Sequence, residues 1–127
     1  MTAGLQGVKV LVVEDEFLVA MLLEEMLQSA GCVVSGPVSR VEDALEVVAH
    51  RTVDIAILDV NVAGNRIDPV ADALSQQNVP FAFVTGYATG ALPGRFGERP
   101  RLCKPFKVDD LLGTVSALLH IECPKGR

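Results

Sequence analysis

The chain has 127 residues, half of them hydrophobic, and a formal net charge of −5. One domain of this size can bury a proper core, and the apolar content excludes intrinsic disorder. The acidic balance argues against a nonspecific nucleic-acid surface, which needs clustered Lys and Arg, and no uncharged run long enough to span a membrane is present.

The first predicted element is a buried strand over residues 8–13, interrupted only by Lys9. It runs straight into three acids, Glu14, Asp15 and Glu16. Val19, Leu22, Leu23, Met26, Leu27 and Ala30 then recur at helical spacing on one face, and Gly31 ends that helix. Residues 32–35 form a short second strand. Ser39 and Glu42 suit a capping box, ahead of a second stripe of Val41, Ala44, Leu45, Val48 and Ala49. Residues 53–58 make a third strand that ends at Asp59, followed by a loop. Asp68 and Pro69 read as an N-cap and a first-turn proline, and Ile67, Val70, Ala71 and Leu74 as a third helix face. Residues 80–84 form a fourth strand ending at Thr85, and 101–103 a fifth ending at Lys104. The last helix carries Leu111, Leu112, Val115 and Leu119, with Asp109 and Asp110 in its first turn, where the helix dipole favours them.

Strands alternating with helices require crossover connections, hence a parallel sheet covered on both faces. Five such units predict an α/β doubly wound sheet of flavodoxin-like order 2-1-3-4-5, with its site beyond the carboxyl ends of the strands. The whole chain, 1–127, is expected to be one domain, with 1–6 and 121–127 as tails. Residues 86–100 contain four glycines, two prolines and no apolar stripe, so the fourth helix is expected to be short or irregular. The three cysteines form no CxxC pair, and the N-terminus lacks the pattern of a secretory signal. These features point to reduced thiols and a cytoplasmic protein, with Cys32 and Cys103 as small core fillers and Cys123 in an exposed tail.

In that topology Glu14, Asp15, Asp59, Thr85 and Lys104 meet at one edge of the sheet. Crowded carboxylates repel, and the natural relief is a hard divalent cation such as Mg²⁺, together with the lysine ammonium. A carboxylate nucleophile with such partners is equipped for phosphoryl transfer through an acyl phosphate.

The stretches VLVVEDE, ILDVN, FVTGY and LCKPF, spread over nearly the whole chain, resemble the receiver domain of bacterial two-component response regulators. The resemblance implies Asp59 as phosphoacceptor and Asp15 as a direct Mg²⁺ ligand, with Glu14 acting through a metal-bound water. It implies that Asn61 offers a backbone carbonyl to the metal, Thr85 bonds a phosphoryl oxygen, Gly86 leaves room for phosphoryl entry, and Lys104 pairs with the phosphoryl group. A cis bond between Lys104 and Pro105 also follows from it. The expected function is a stand-alone phospho-accepting receiver, not an enzyme beyond its own phosphorylation and dephosphorylation. Its partners would be a histidine kinase or phosphotransfer protein and a downstream protein, with no nucleic acid and no membrane.

Three positions depart from the family's pattern. Glu14 stands where Asp is more usual. Arg101 stands where members often carry an aromatic that turns inward on activation. The only tyrosine is Tyr87, in a stretch similar to the Phe-Ala-Thr-Gly-x-Tyr subgroup, and Tyr87 is assigned the reporting role. Glu16 is read as a helix-start charge, and His50 and His120 as helix-end charges. The rival readings are an interaction module that is never phosphorylated and an Mg²⁺-dependent phosphatase with an aspartate nucleophile. That phosphatase would want an acid where Asn61 stands. Nucleotide binding lacks a glycine-rich loop after the first strand.

Overall fold

A computed structural model describes residues 5–62, 65–85 and 100–122, leaving aside the side chains of 61, 62, 65 and 120–122. Its five-stranded sheet is parallel throughout, in the order β2 (Val33–Val38), β1 (Lys9–Val13), β3 (Ile55–Asp59), β6 (Phe81–Thr85), β7 (Arg101–Cys103). In chain order these are the first to fifth parallel strands, so the predicted order 2-1-3-4-5 is the one observed. The loop expected after Asp59 instead contains a short antiparallel pair, β4 (Asn61–Val62) with β5 (Asn65–Arg66).

The period of two along each strand divides the core into two layers. Val10 and Val12, with Ile55 and Ile57, face α1 (Phe17–Ser29) and α4 (Val108–Glu122). Leu11 and Val13, with Leu58, Phe81 and Phe83, face α2 (Val41–His50) and α3 (Asp68–Gln76). Phe81 and Phe83 meet edge to face, with ring centroids 5.4 Å apart. Among the described helices none is long and apolar enough to cross a membrane.

Several local expectations need correction. Leu22 is 42% exposed, because the buried line of α1 runs through Ala20, Leu23 and Leu27, and Leu22 falls beside it. Phe17, Leu18 and Met21 are likewise exposed. The residue before α2 is Arg40, whose side chain pairs with Glu42, and no side-chain capping bond forms there. Asp68 is the first helical residue of α3 and Ile67 the cap, with Pro69 in the first turn as expected. Cys103 is exposed, since alternation on the edge strand β7 turns Leu102 inward and Cys103 outward. Cys32 is buried, and that burial raises its thiol pKa. Strand β2 runs three residues further than expected, through Gly36 and Pro37; proline is tolerated there because β2 is an edge strand. Leu5, in the stretch expected as a tail, is buried in the core, and α4 extends to Glu122. The short or irregular fourth helix is expected within residues 86–100, of which 86–99, like Cys123, lie outside the described residues.

Candidate functional site

All strands of a parallel sheet end on the same edge, and the apolar run of each one here stops at a polar residue. Glu14 and Asp15 follow β1, Asp59 and Thr85 close β3 and β6, and Lys104 follows β7. The Glu14 backbone N–H donates to the Val38 carbonyl at 3.0 Å, extending the pairing of β1 with β2 by one residue. Its side chain is fully buried, at 0% exposure. Oε2 accepts from the Glu16 backbone N–H at 3.1 Å and from Lys104 Nζ at 3.4 Å. Oε1 makes no hydrogen bond among the described residues, although Lys104 Nζ stands 3.4 Å from it. A buried carboxylate therefore keeps acceptor capacity unspent, a costly state that a ligand would relieve.

One oxygen from each of Glu14, Asp15 and Asp59 lies within 4.8 Å of the others. Two oxygens on a shared Mg²⁺ stand at most about 4.2 Å apart, and on Ca²⁺ about 5 Å. A small side-chain adjustment would bring the trio onto one ion, and an all-oxygen anionic donor set suits a hard cation. Of the three acids, Glu14 and Asp15 line a cleft of about 340 Å³, together with Phe17, Met21, Pro37 and Ser39.

Lys104 Nζ stands 4.0 Å from Asp59 Oδ2 and 2.7 Å from Glu16 Oε1. Partial burial works against its charge. The hydrogen bond to Glu16 and the charges of Asp59, Glu14 and Glu16 together outweigh that penalty and hold its pKa above the ordinary lysine value. The Lys104 backbone N–H donates to the Thr85 carbonyl at 2.8 Å, tying the ends of β6 and β7 together. Thr85 is buried. The Lys104–Pro105 peptide is cis, as expected, and so is Gly36–Pro37.

Four of the predicted residues thus stand together: Glu14, Asp15, Asp59 and Lys104. Thr85 is joined to them through the backbone. Asn61 lies in β4, two residues past Asp59, paired with Arg66 through the backbone ladder. Gly86 and Tyr87 lie outside the described residues. Arg101 opens β7 and is half-buried. Glu16 is the residue that sequence reasoning missed. It precedes α1 but makes no side-chain capping bond, and its carboxylate reaches Lys104 instead. The run of three acids in succession was the available signal.

Residues 10–116 match the family model described as the response regulator receiver domain. The chain belongs to the response regulator receiver family. The solution structure of SdrG from Sphingomonas melonis Fr1 superposes with a TM-score of 0.81 at 41% identity, covering 90% of this chain and 98% of that one. The solution structure of the BeF3-activated conformation of SdrG from Pseudomonas melonis Fr1 gives a TM-score of 0.76 at 42% identity, covering 88% and 96%. The transcriptional regulatory protein PdtaR of Mycobacterium tuberculosis is 30% identical over 111 residues, which are 84% of this chain and 54% of PdtaR. This receiver therefore spans about half the length of that curated relative.

Proposed function

We propose that this receiver accepts a phosphoryl group on Asp59 from the phosphohistidine of a histidine kinase or phosphotransfer protein, and that the phosphorylated form changes its binding to a downstream protein. The carrying observation is the convergence of three carboxylate oxygens within 4.8 Å, beside a lysine ammonium 4.0 Å from Asp59. The existence of a BeF3-activated conformation of the SdrG relative supports the reading, since beryllofluoride imitates a carboxylate-bound phosphoryl group.

In the transfer, an Asp59 oxygen bonds to phosphorus as the phosphorus–nitrogen bond of the donor breaks, and the electron pair returns to the imidazole. The product is a mixed anhydride on Asp59, formed with no net proton change at the carboxylate. Glu14, Asp15, Asp59 and the Asn61 carbonyl would hold Mg²⁺. That ion supplies charge neutralisation between carboxylates and phosphoryl oxygens. Lys104 then pairs with one phosphoryl oxygen, and Thr85 closes on another at the end of β6. The residue two past Asp59 is Asn61, with no acid there to drive a phosphatase cycle, so turnover is confined to the chain's own phosphoryl group.

Incubation with acetyl phosphate, with and without Mg²⁺, followed by intact-mass measurement tests this directly. One phosphoryl group is expected on the wild type with Mg²⁺, and none on Asp59→Asn. A wild type that gains no mass under these conditions would leave the fold serving as an unphosphorylated interaction module.

A further inference from the structure

Lys104 must serve an arriving phosphoryl group, yet its shortest contact points elsewhere. Nζ lies 2.7 Å from Glu16 Oε1, 3.4 Å from Glu14 and 4.0 Å from Asp59. Glu16 is held where it can do this. Its backbone N–H donates to the buried Glu14 carboxylate, and its side chain, 63% exposed, is spent on Lys104 rather than on capping α1. One residue thus donates to the buried acid and accepts from the lysine.

We infer that Glu16 is a positioning residue that holds Lys104 in a resting position and competes with the phosphoryl group for its ammonium. The inference rests on the phosphoryl-accepting reading of Asp59. Phosphorylation of Asp59 brings a doubly charged group beside three remaining acids, Glu14, Asp15 and Glu16. An ammonium drawn toward that group is drawn away from Glu16, whose carboxylate, already 63% exposed, is left to water. The resting pair therefore subtracts from the driving force for phosphorylation, by the worth of a partly exposed ion pair. For such pairs that is a factor of roughly two to five in rate or equilibrium.

The test compares wild type, Glu16→Gln, Glu16→Asp and Glu25→Gln. Each is treated with limiting acetyl phosphate and saturating Mg²⁺ and followed by intact mass. Glu25 is exposed on the same helix and makes no contact with Lys104, so its variant removes one negative charge without touching the pair. Aspartate is a favoured residue before a helix and keeps α1 intact while withdrawing the carboxylate by one methylene. Glu16→Gln and Glu16→Asp are expected to phosphorylate roughly two- to fivefold faster than wild type, with Glu25→Gln unchanged. A second readout needs no donor. In the unphosphorylated protein, the Lys104 side-chain methylene signals in a carbon–proton NMR spectrum shift in both Glu16 variants and stay in place in Glu25→Gln. Wild-type phosphorylation rates in both Glu16 variants, or an equal acceleration in Glu25→Gln, would overturn the positioning role. Failure of the wild type itself to take a phosphoryl group would instead sink the reading of Asp59, and the inference with it.

Discussion

Glu14 carries a carboxylate into the protein interior and shares one ammonium with two other acids. Removing that ammonium leaves the buried charge without a counter-ion. Lys104→Met is accordingly expected to lower the unfolding free energy by about 2 kcal/mol in urea denaturation at neutral pH with metal chelated. Adding Glu14→Gln to the same chain should recover most of the loss, because the orphaned charge is then gone. A coupling energy near zero in that double-mutant cycle would mean that water, not Lys104, compensates Glu14. The same pair sets a pH dependence. The surrounding carboxylates hold the folded-state pKa of Lys104 above the ordinary lysine value, so its charge favours the folded state. That contribution is whole below the unfolded-state pKa and is lost as pH rises through the higher folded value. Wild type should therefore lose stability in the alkaline range above about 10.4. Lys104→Met should lack that part of the decline.

At the scale of elements, the sheet does the positioning, and its rigidity rests on paired aromatics. Phe81 and Phe83 alternate onto the α2–α3 face of β6, the strand whose last residue is Thr85. Phe83→Ala is expected to cost about 3–5 kcal/mol, read as a lower urea midpoint at unchanged slope. Gly36 in β2 is a second constraint. Its φ is +102°, and an added Cβ would stand 2.6 Å from the Val38 nitrogen. Gly36→Ala should then destabilise by about 1–3 kcal/mol through local strain alone. The strands and their order were legible in the sequence, because unbroken apolar runs ending at polar residues leave few alternatives to a parallel sheet. Most of the acid cluster followed from those endings. What periodicity does not carry is the width of the covered arc on a helix, and so Leu22 was placed in the core stripe although it lies outside. Nor does it tell which face of an edge strand is covered, which is why Cys103 was misjudged. Ser39 and Asp68 share one cause of error: local cap chemistry predicts a bond to nearby backbone, and each helix start fell one residue away. Glu16 stands at the start of α1 as expected, but nothing in the local sequence shows that its carboxylate reaches Lys104, which is a tertiary contact.

For the molecule as a whole, a net charge of −5 and a concentration of acids at one rim pull in the same direction. Folding brings Asp59 up to Glu14 and Asp15, so the folded state carries repulsion that the unfolded chain avoids by keeping Asp59 apart from the other two. A cation bound at the rim removes the repulsion only when the chain is folded, and its binding free energy adds to stability. At one hundred times its dissociation constant, such a ligand contributes about 2.7 kcal/mol. Mg²⁺ should therefore raise the thermal midpoint well beyond what NaCl does at equal ionic strength, since monovalent salt acts only by screening. Asp15→Asn separates the two effects. Without Mg²⁺ the substitution removes one repelling charge from the rim and should raise the midpoint, by the equivalent of about 1 kcal/mol for an exposed group. With Mg²⁺ it removes a ligand, so most of the ion-dependent gain should disappear and the order of the two proteins should reverse. If Mg²⁺ and NaCl shifted the wild type equally, or if Asp15→Asn responded to Mg²⁺ as the wild type does, the acids would be a charged rim and nothing more.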